Sequence, residues 1–379
     1  MILPGATLGV LGGGQLGRMF TMAAHTLGYR VVVLDPDPHS PAGSIADQHI
    51  EGDWHDHASL QMLGEECAAV TTEFENVPAE SLEYLARFCI VRPDARAVGI
   101  SQDRIREKTF LQEHGIPTAA FVPILEPEDL DAAWERLLPP LLLKTARLGY
   151  DGKGQRTVHA LTEARAAFEE FGNVPCVLEE KVSLAKEVSV VLARTHDGQV
   201  AVYPVAENRH VAGILDTTIV PARIEEDLAR QAVDAATAIA DALGYSGVLA
   251  VEFFVTEAGE LLANELAPRP HNSGHYTLDA CITSQFEQQV RTLCGLPPGD
   301  TLLLAPAVMV NLLGDLWVRG EPRWDRLLAE PAARLHLYGK REARPGRKMG
   351  HYTCLSTEEE AALACAERIR RRLVNSDER

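Results

Sequence analysis

The chain has 379 residues, of which 46% are hydrophobic, and 36 Lys+Arg against 54 Asp+Glu give a formal net charge of −18. That length suits two or three globular domains, and the acidic balance excludes binding driven by Lys and Arg displacing counterions from a nucleic-acid backbone. A membrane is not expected as a partner either: MILPGATLGV has no basic n-region and is broken by Pro4 and Gly5, and the apolar run Leu302 to Leu313 is interrupted by Pro306 and Asn311. Seven cysteines without CxxC pairs read as reduced, mostly buried thiols of a cytoplasmic protein.

In chain order, ATLGVLG reads as a strand, a helix follows from about Gln15 to Leu27, and RVVVLD, AAVTTEF and FCIVRP read as further strands. Strands alternating with helices imply a parallel sheet. Asp103 to His114 reads as a helix closed by Gly115 and Pro117. PLLLKTA and CVLEEKV are strands with a glycine-rich loop after the first, and Glu187 to Leu192 and Gln199 to Val205 form a hairpin around His196-Asp197-Gly198. A helix from about Glu225 to Leu243 precedes VLAVEFFV and LLANEL, and the last part of the chain holds more strands and a charged terminal helix.

Gly12, Gly14 and Gly17, after a strand and before a helix, with Asp35 ending the next strand, fit the fingerprint of a loop that offers backbone N–H groups to a phosphate. In VLAVEFFVTEAGELLANEL, a turn at Glu257 to Glu260 sets Glu252 directly opposite Glu265. Two facing carboxylates on an apolar hairpin repel, so a cation between them is expected, and Mg²⁺ shared with substrate phosphates fits that role.

Lys144 ends an apolar strand before Gly149, Gly152 and Gly154, an arrangement that places a cation and a foldable loop over nucleotide phosphates. The run LEEKV from Leu178 to Val182 reads as a strand entering a hinge able to meet an adenine edge, with Glu187 in reach of ribose hydroxyls. Arg269, His271 and His275 in APRPHNSGH suit a developing oxyanion or acyl phosphate; Pro270 and Gly274 argue against a helical zinc pair. Lys340, Arg347 and Lys348 form a second positive cluster suited to a substrate phosphate, and His55 and His57 in WHDH carry no assigned role.

GGGQLGRM, TTEFENVP, LLLKTARLGYDGKGQ, NELAPRPHNSGH and GRKMGHY, in this order across nearly the whole chain, resemble the N5-carboxyaminoimidazole ribonucleotide synthases, ATP-grasp enzymes of purine biosynthesis. The resemblance implies a mixed α/β and α+β fold: a Rossmann-like pre-ATP-grasp domain over 1–102, an ATP-grasp domain over 103–295 with a mobile subdomain at about 118–181, and a small C-terminal domain over 296–379. It implies ATP- and Mg²⁺-dependent carboxylation of 5-aminoimidazole ribonucleotide with bicarbonate through carboxyphosphate, by a cytoplasmic homodimer.

Carried over by the same resemblance, ATP is met by Arg104, Lys144, Gly149, Tyr150, Asp151, Gly152, Lys153, Gly154, Gln155, Glu179, Glu180, Lys181, Val182, Glu187, His210, Asn264 and Glu265. Glu252 and Glu265 hold Mg²⁺. Gln15, Leu16, Glu73, Lys340, Arg347 and Lys348 bind the ribonucleotide, and Tyr150, Asp151, Arg269 and His271 surround the bicarbonate-derived intermediate, with Asp151 or His271 as base. Three rival functions are a biotin-carboxylase type of ATP-grasp enzyme, an NAD-dependent dehydrogenase resting on the glycine loop, and a degenerate ATP-binding regulator.

Overall fold

The computed structural model describes residues 1–74, 76–149 and 154–373. The first part comprises β1 (Thr7–Leu11), α1 (Gln15–Thr26), β2 (Arg30–Asp35), β3 (Gln48–Glu51), α2 (His57–Glu66), β4 (Ala69–Thr72), α3 (Ala79–Leu85), β5 (Ile90–Val91) and α4 (Ala95–Ser101). Its sheet runs β3-β2-β1-β4-β5 with parallel pairing throughout, which is why the central strands are continuous apolar runs covered on both faces. FCIVRP shortens to Ile90–Val91, an edge strand held only by Ala69 and Val70. The strand order reverses at β1, so the carboxyl ends of β1 and β4 border the crevice where open α/β sheets take ligands.

α5 (Arg104–Glu113) begins at Asp103, whose carboxylate accepts the N–H groups of Ile105 and Arg106, and stops before Gly115 at φ 72°. β6 (Phe121–Ile124), α6 (Asp129–Arg136), β7 (Leu141–Thr145), β8 (Gln155–Val158), α7 (Leu161–Glu170) and β9 (Cys176–Glu180) follow. They form a four-stranded antiparallel sheet, β6-β9-β7-β8, with its own core of Leu130, Leu141, Leu143, Phe168 and Leu178.

The third part contains β10 (Leu184–Arg194), β11 (Val200–Val202), β12 (Ala206–Val211), β13 (Ile214–Val220), α8 (Glu226–Leu243), β14 (Gly247–Thr256), β15 (Leu261–Ala267), α9 (Thr277–Ala280) and α10 (Gln285–Cys294). It ends with β16 (Ala307–Leu313), α11 (Trp324–Leu328), β17 (Ala333–Leu337), β18 (Lys348–Leu355) and α12 (Glu359–Leu373). One nine-stranded sheet runs β15-β14-β10-β12-β13-β16-β18-β17, with β11 beside β10. Because β13 pairs with β16, strands from both sides of residue 295 share this sheet.

α8 covers one face of β10 and β14 through a core that includes Val188, Val190, Leu192, Leu249 and Val251. The period of two then turns Glu187, Ser189 and Glu252 to the opposite face. α10 joins the two large sheets: Val290 and Leu293 pack with Leu8 and Val33 of the first and with Phe20 of α1. All seven cysteines are thiols, six of them buried and Cys89 partly so. Among the described residues no helix is long and apolar enough to cross a membrane.

Candidate active site

Glu252 of β14 pairs with Glu265 of β15, but the ladder slips next to them: Glu252 faces Glu265 while Phe253 faces Ala263, leaving Asn264 as a bulge. Burial pushes the Glu252 carboxyl up to about 7, against the pull of the His210 imidazole, and the Glu265 carboxylate adds to the rise. Behind the pair, the buried Glu107 of α5 accepts the Leu266 N–H at 2.7 Å, and burial with the nearby Glu265 charge lifts it to about 8. Three carboxyl groups crowd this corner, with Arg104 Nη1 at 3.5 Å from Glu265 as an ion-pair partner. Arg104 Nη2 also donates to Gly149 O at 3.4 Å, tying the metal-type pair to the start of the glycine loop.

Lys144, at the end of β7, and Lys108 of α5 flank Glu179 of β9. Lys108 Nζ lies 3.0 Å from one carboxylate oxygen and Lys144 Nζ makes a close ion pair with the other, all three side chains being buried. Burial alone would raise the Glu179 carboxyl, yet the two ammonium groups hold it down at about 2. The same burial, with the Lys108 and Arg104 charges, lowers the Lys144 ammonium against the opposing pull of Glu179. β7 pairs Lys144 with Gln155, and Thr145 N–H donates to Gly154 O at 2.8 Å. Gly154 takes φ 69°, and a Cβ there would come within 2.6 Å of Thr145 Oγ1. Tyr150, Asp151, Gly152 and Lys153 lie outside the described residues.

β9 ends at Glu180, and 181–183 connect it to β10. The N–H groups of Glu180 and Lys181 are taken by Ala120 O and Pro140 O. Across the connection Glu187 and His210 form a close ion pair, which raises His210 although burial opposes the charge.

His271 follows β15. Its N–H donates to Gln285 Oε1 at 2.9 Å and its carbonyl accepts from Gln285 Nε2 at 2.8 Å, so a buried glutamine fixes this backbone in both directions. His271 Nε2 stands 3.7 Å from Glu252. Its Nδ1 accepts the Ser273 N–H and lies 2.9 Å from Ser273 Oγ, placing the ring proton on Nε2. Burial, with the Arg269 and Lys348 charges, holds His271 well below the usual histidine range, hence neutral. A buried chain continues from Ser273 through Ser189 and Asn208 to Thr218 at 2.8, 2.9 and 3.1 Å. His271 and His275 flank a short 3₁₀ turn, Asn272–Gly274, and do not share an α-helical face.

At the crevice of the first sheet, the carboxylate of Glu73 accepts N–H groups from Gly14, Leu16 and Gly17 at 2.8, 3.1 and 3.1 Å, and Asp35 accepts from Gly13 at 2.6 Å. The groups that a dinucleotide pyrophosphate would need are therefore held by acids of the chain itself. Glu73 is raised by burial against those hydrogen bonds and the Arg269 charge. Leu16 and Met19 pack with Tyr338 and Phe286, bringing Gln15 and Leu16 beside the segment that carries Lys340, whose Nζ lies 5.8 Å from the Tyr338 ring centre. Lys348 acts electrostatically on His271, His210 and Glu252. The Arg347 guanidinium donates to Glu342 O at 2.9 Å within its own loop.

The structure thus gathers Arg104, Lys144, Glu179, Glu252 and Glu265 with Glu187, His210, His271 and Lys348. Lys108, Glu107, Ser189, Asn208, Ser273 and Gln285 were not anticipated. The sequence signal for Ser189 was a polar residue inside an otherwise apolar, buried strand; Asn208, in the mixed-polarity strand β12, and Lys108, which reads as an exposed position of a charged helix, carried none.

Residues 5–102 match the ribonucleotide synthetase preATP-grasp domain, 109–286 the ATP-grasp domain, and 307–364 the phosphoribosylaminoimidazole carboxylase C-terminal domain. The N5-carboxyaminoimidazole ribonucleotide synthase of Bacillus subtilis (strain 168) is 45% identical over 364 residues, 95% of this chain and 94% of the relative. That of Brucella melitensis biotype 1 is 47% identical over 352 residues, 92% of this chain and 96% of the relative. The Staphylococcus aureus N5-carboxyaminoimidazole synthetase complexed with ADP superposes with TM-score 0.91 at 36% identity, covering 97% and 98% of the two chains. The Aspergillus clavatus enzyme in complex with ADP and 5-aminoimidazole ribonucleotide does so with TM-score 0.89 at 31%, covering 97% and 99%. The chain belongs to the N5-carboxyaminoimidazole ribonucleotide synthases and is an ATP-dependent ligase of the ATP-grasp type.

Proposed function

We propose that this chain joins bicarbonate to 5-aminoimidazole ribonucleotide in a homodimeric cytoplasmic enzyme, converting ATP to ADP and phosphate. The observation that carries the reading is the cluster in which Arg104 of α5 acts on both Glu265 and the Lys144–Glu179–Lys108 group, with Glu252 and His271 beside Glu265. Domains over 1–102, 103–295 and 296–379 supply the three walls, and the sheet at about 118–181 is the part that closes over the nucleotide.

Glu252 and Glu265 fit Mg²⁺: two crowded oxygen donors beside a nucleotide pocket suit a hard cation that keeps waters and shares substrate phosphates. When bound, Mg²⁺ neutralises phosphate charge during transfer. Lys144 moves from Glu179 to the phosphates, while Lys108 keeps Glu179 neutralised. The hinge around Glu180, Lys181 and Val182 meets the adenine, Glu187 and His210 the ribose, and Asn264 the phosphates beside Glu265. The 149–155 loop, including Gly149, Tyr150, Asp151, Gly152, Lys153, Gly154 and Gln155, covers the γ-phosphate and excludes water.

A bicarbonate oxygen then attacks the γ-phosphorus, ADP leaves, and carboxyphosphate forms. Arg269 stabilises the developing oxyanion, and His271, protonated on Nε2, donates to the carboxyl oxygen. With His271 a donor, Asp151 is the group left to take the proton from the exocyclic amine as it attacks, releasing phosphate. Gln15, Leu16, Lys340, Arg347 and Lys348 hold the ribonucleotide phosphate, and Glu73 yields helix N–H groups to it.

The test is phosphate release from ATP with Mg²⁺ and bicarbonate. Stimulation by aminoimidazole ribonucleotide supports the reading; a response to free biotin alone overturns it.

A further inference from the structure

Behind the His271 loop, on the far side of Gln285, strands β17 and β18 set His336 directly opposite His351, and the two rings stack at 4.6 Å and 16°. Asp279 of α9 reaches His336 Nε2 at 2.8 Å. His351 Nδ1 is held by the Tyr338 hydroxyl at 2.8 Å, so Nε2 is the nitrogen left facing the cluster, and that atom is buried without a hydrogen-bond partner. One ligand atom each from Asp279, His336 and His351 lies within 4.8 Å of the others. His275, with its ring centre 5.0 Å from that of His351, repeats the pattern: Nδ1 is held by Gln285 at 3.0 Å and Nε2 is buried without a partner. Burial holds both His275 and His351 well below the ordinary histidine range, which leaves them neutral.

We propose that Asp279, His336 and His351 bind a divalent transition-metal ion of the Zn²⁺ class, with His275 as a fourth donor beside it. Imidazole nitrogens with one carboxylate select such ions over Mg²⁺. Side-chain torsions that draw the donors in around Zn–N distances of ~2.0 to 2.1 Å complete the site. Tyr338 and Gln285 already orient the two buried rings in the manner of outer-shell partners. The partly exposed His336 and Asp279 give the ion its way in, and on binding His336 carries its proton on Nδ1. The ion ties α9 to β17 and to β18, the strand that starts at Lys348.

The test uses the full chain after chelator treatment, with Zn²⁺ or Co²⁺ as the sole addition and no nucleotide. The expected result is one ion bound per chain, a Tm raised by roughly 2 to 6 °C at saturating Zn²⁺, and the visible absorption of a nitrogen-ligated Co²⁺ site. These signals should vanish in His336→Ala and in the nearly isosteric Asp279→Asn, and persist in Glu265→Gln. Absence of the signals in the wild-type chain overturns the proposal, as does their persistence in Asp279→Asn or their loss in Glu265→Gln alone.

Discussion

Glu252 faces Glu265 across the β14–β15 ladder because Asn264 bulges out of it. Thr256 N–H donates to Glu260 O at 2.9 Å, which closes a shorter turn than Glu257 to Glu260 and shifts the pairing by one residue. The bulge restores that residue immediately before the metal-type pair. Were Asn264 paired in the ladder instead, Glu265 would point to the opposite face, since a one-residue slip inverts every side chain. Deleting Asn264 removes the extra residue and leaves Glu265 opposite Glu252 in a regular ladder, so Mg²⁺-dependent turnover should survive it far better than removal of the carboxylate. A deletion variant as inactive as Glu265→Gln, with its fold verified by circular dichroism, contradicts this reading of the bulge.

Glu265→Gln removes a metal ligand and also one charge from a crowded acidic corner. Turnover should fall by roughly 100-fold or more, while the Tm of the ligand-free protein stays level or rises slightly. A parallel loss of Tm and activity would show that Glu265 is structural.

Lys144→Met should raise KM for ATP strongly but cost little stability, because the buried Lys108–Glu179 pair remains. Glu179→Gln, which leaves two buried ammonium groups without their carboxylate, should cost about 3 kcal/mol. Denaturant titration gives the order; a Lys144→Met variant as destabilised as Glu179→Gln would mean that Lys108 does not neutralise Glu179.

Ligand-free stability should depend on pH in a direction set by Glu107 and Glu252. Burial raises both, to about 8 and about 7, above an unfolded carboxyl value of ~4.3. The folded chain binds more protons than the unfolded one in that window, so stability declines as pH rises through it. Above about pH 7, where the buried neutral His271, His275 and His351 no longer oppose the effect, Tm should fall toward about pH 8.5, and Glu107→Gln, which keeps an acceptor for Leu266 N–H, should flatten the slope. A Tm that rises over this range contradicts the assignment. Glu179, held at about 2, acts oppositely: its contribution is present above the unfolded value and is lost only on acidification toward about pH 2.

Arg347→Ala should raise KM for the ribonucleotide by roughly 10-fold or more and leave KM for ATP nearly unchanged. Its guanidinium bonds a carbonyl of its own loop, so Tm should scarcely move. Equal effects on both substrates would place Arg347 elsewhere in the chemistry.

The parts of this molecule that were legible in sequence are those where one physical demand dominates. The parallel strands betray themselves as continuous apolar runs, and α5 and α8 are bounded by Asp103, Gly115 and Gly244 at positions that local backbone chemistry requires. The facing carboxylates were found by counting from the hairpin turn, although two compensating slips, the shorter turn and the Asn264 bulge, were invisible in that count. β12 and β13 escaped notice because AENRHV mixes polar residues on both faces: Asn208 serves the Ser189–Thr218 chain, while Glu207 binds Lys186 and Arg223. Lys108 could not be read because its burial depends on Glu179, a residue far along the chain. The glycine loop was legible as an anion site, but the anion that fills it here is the side chain of Glu73.

The most direct test of the central claim follows the carbon. With ¹³C-labelled bicarbonate, ATP, Mg²⁺ and 5-aminoimidazole ribonucleotide, ¹³C NMR should show a carbamate resonance on the ribonucleotide growing in step with ADP, and neither product without Mg²⁺. ADP formation with all label remaining in bicarbonate, under conditions where the carbamate is stable, would contradict the account.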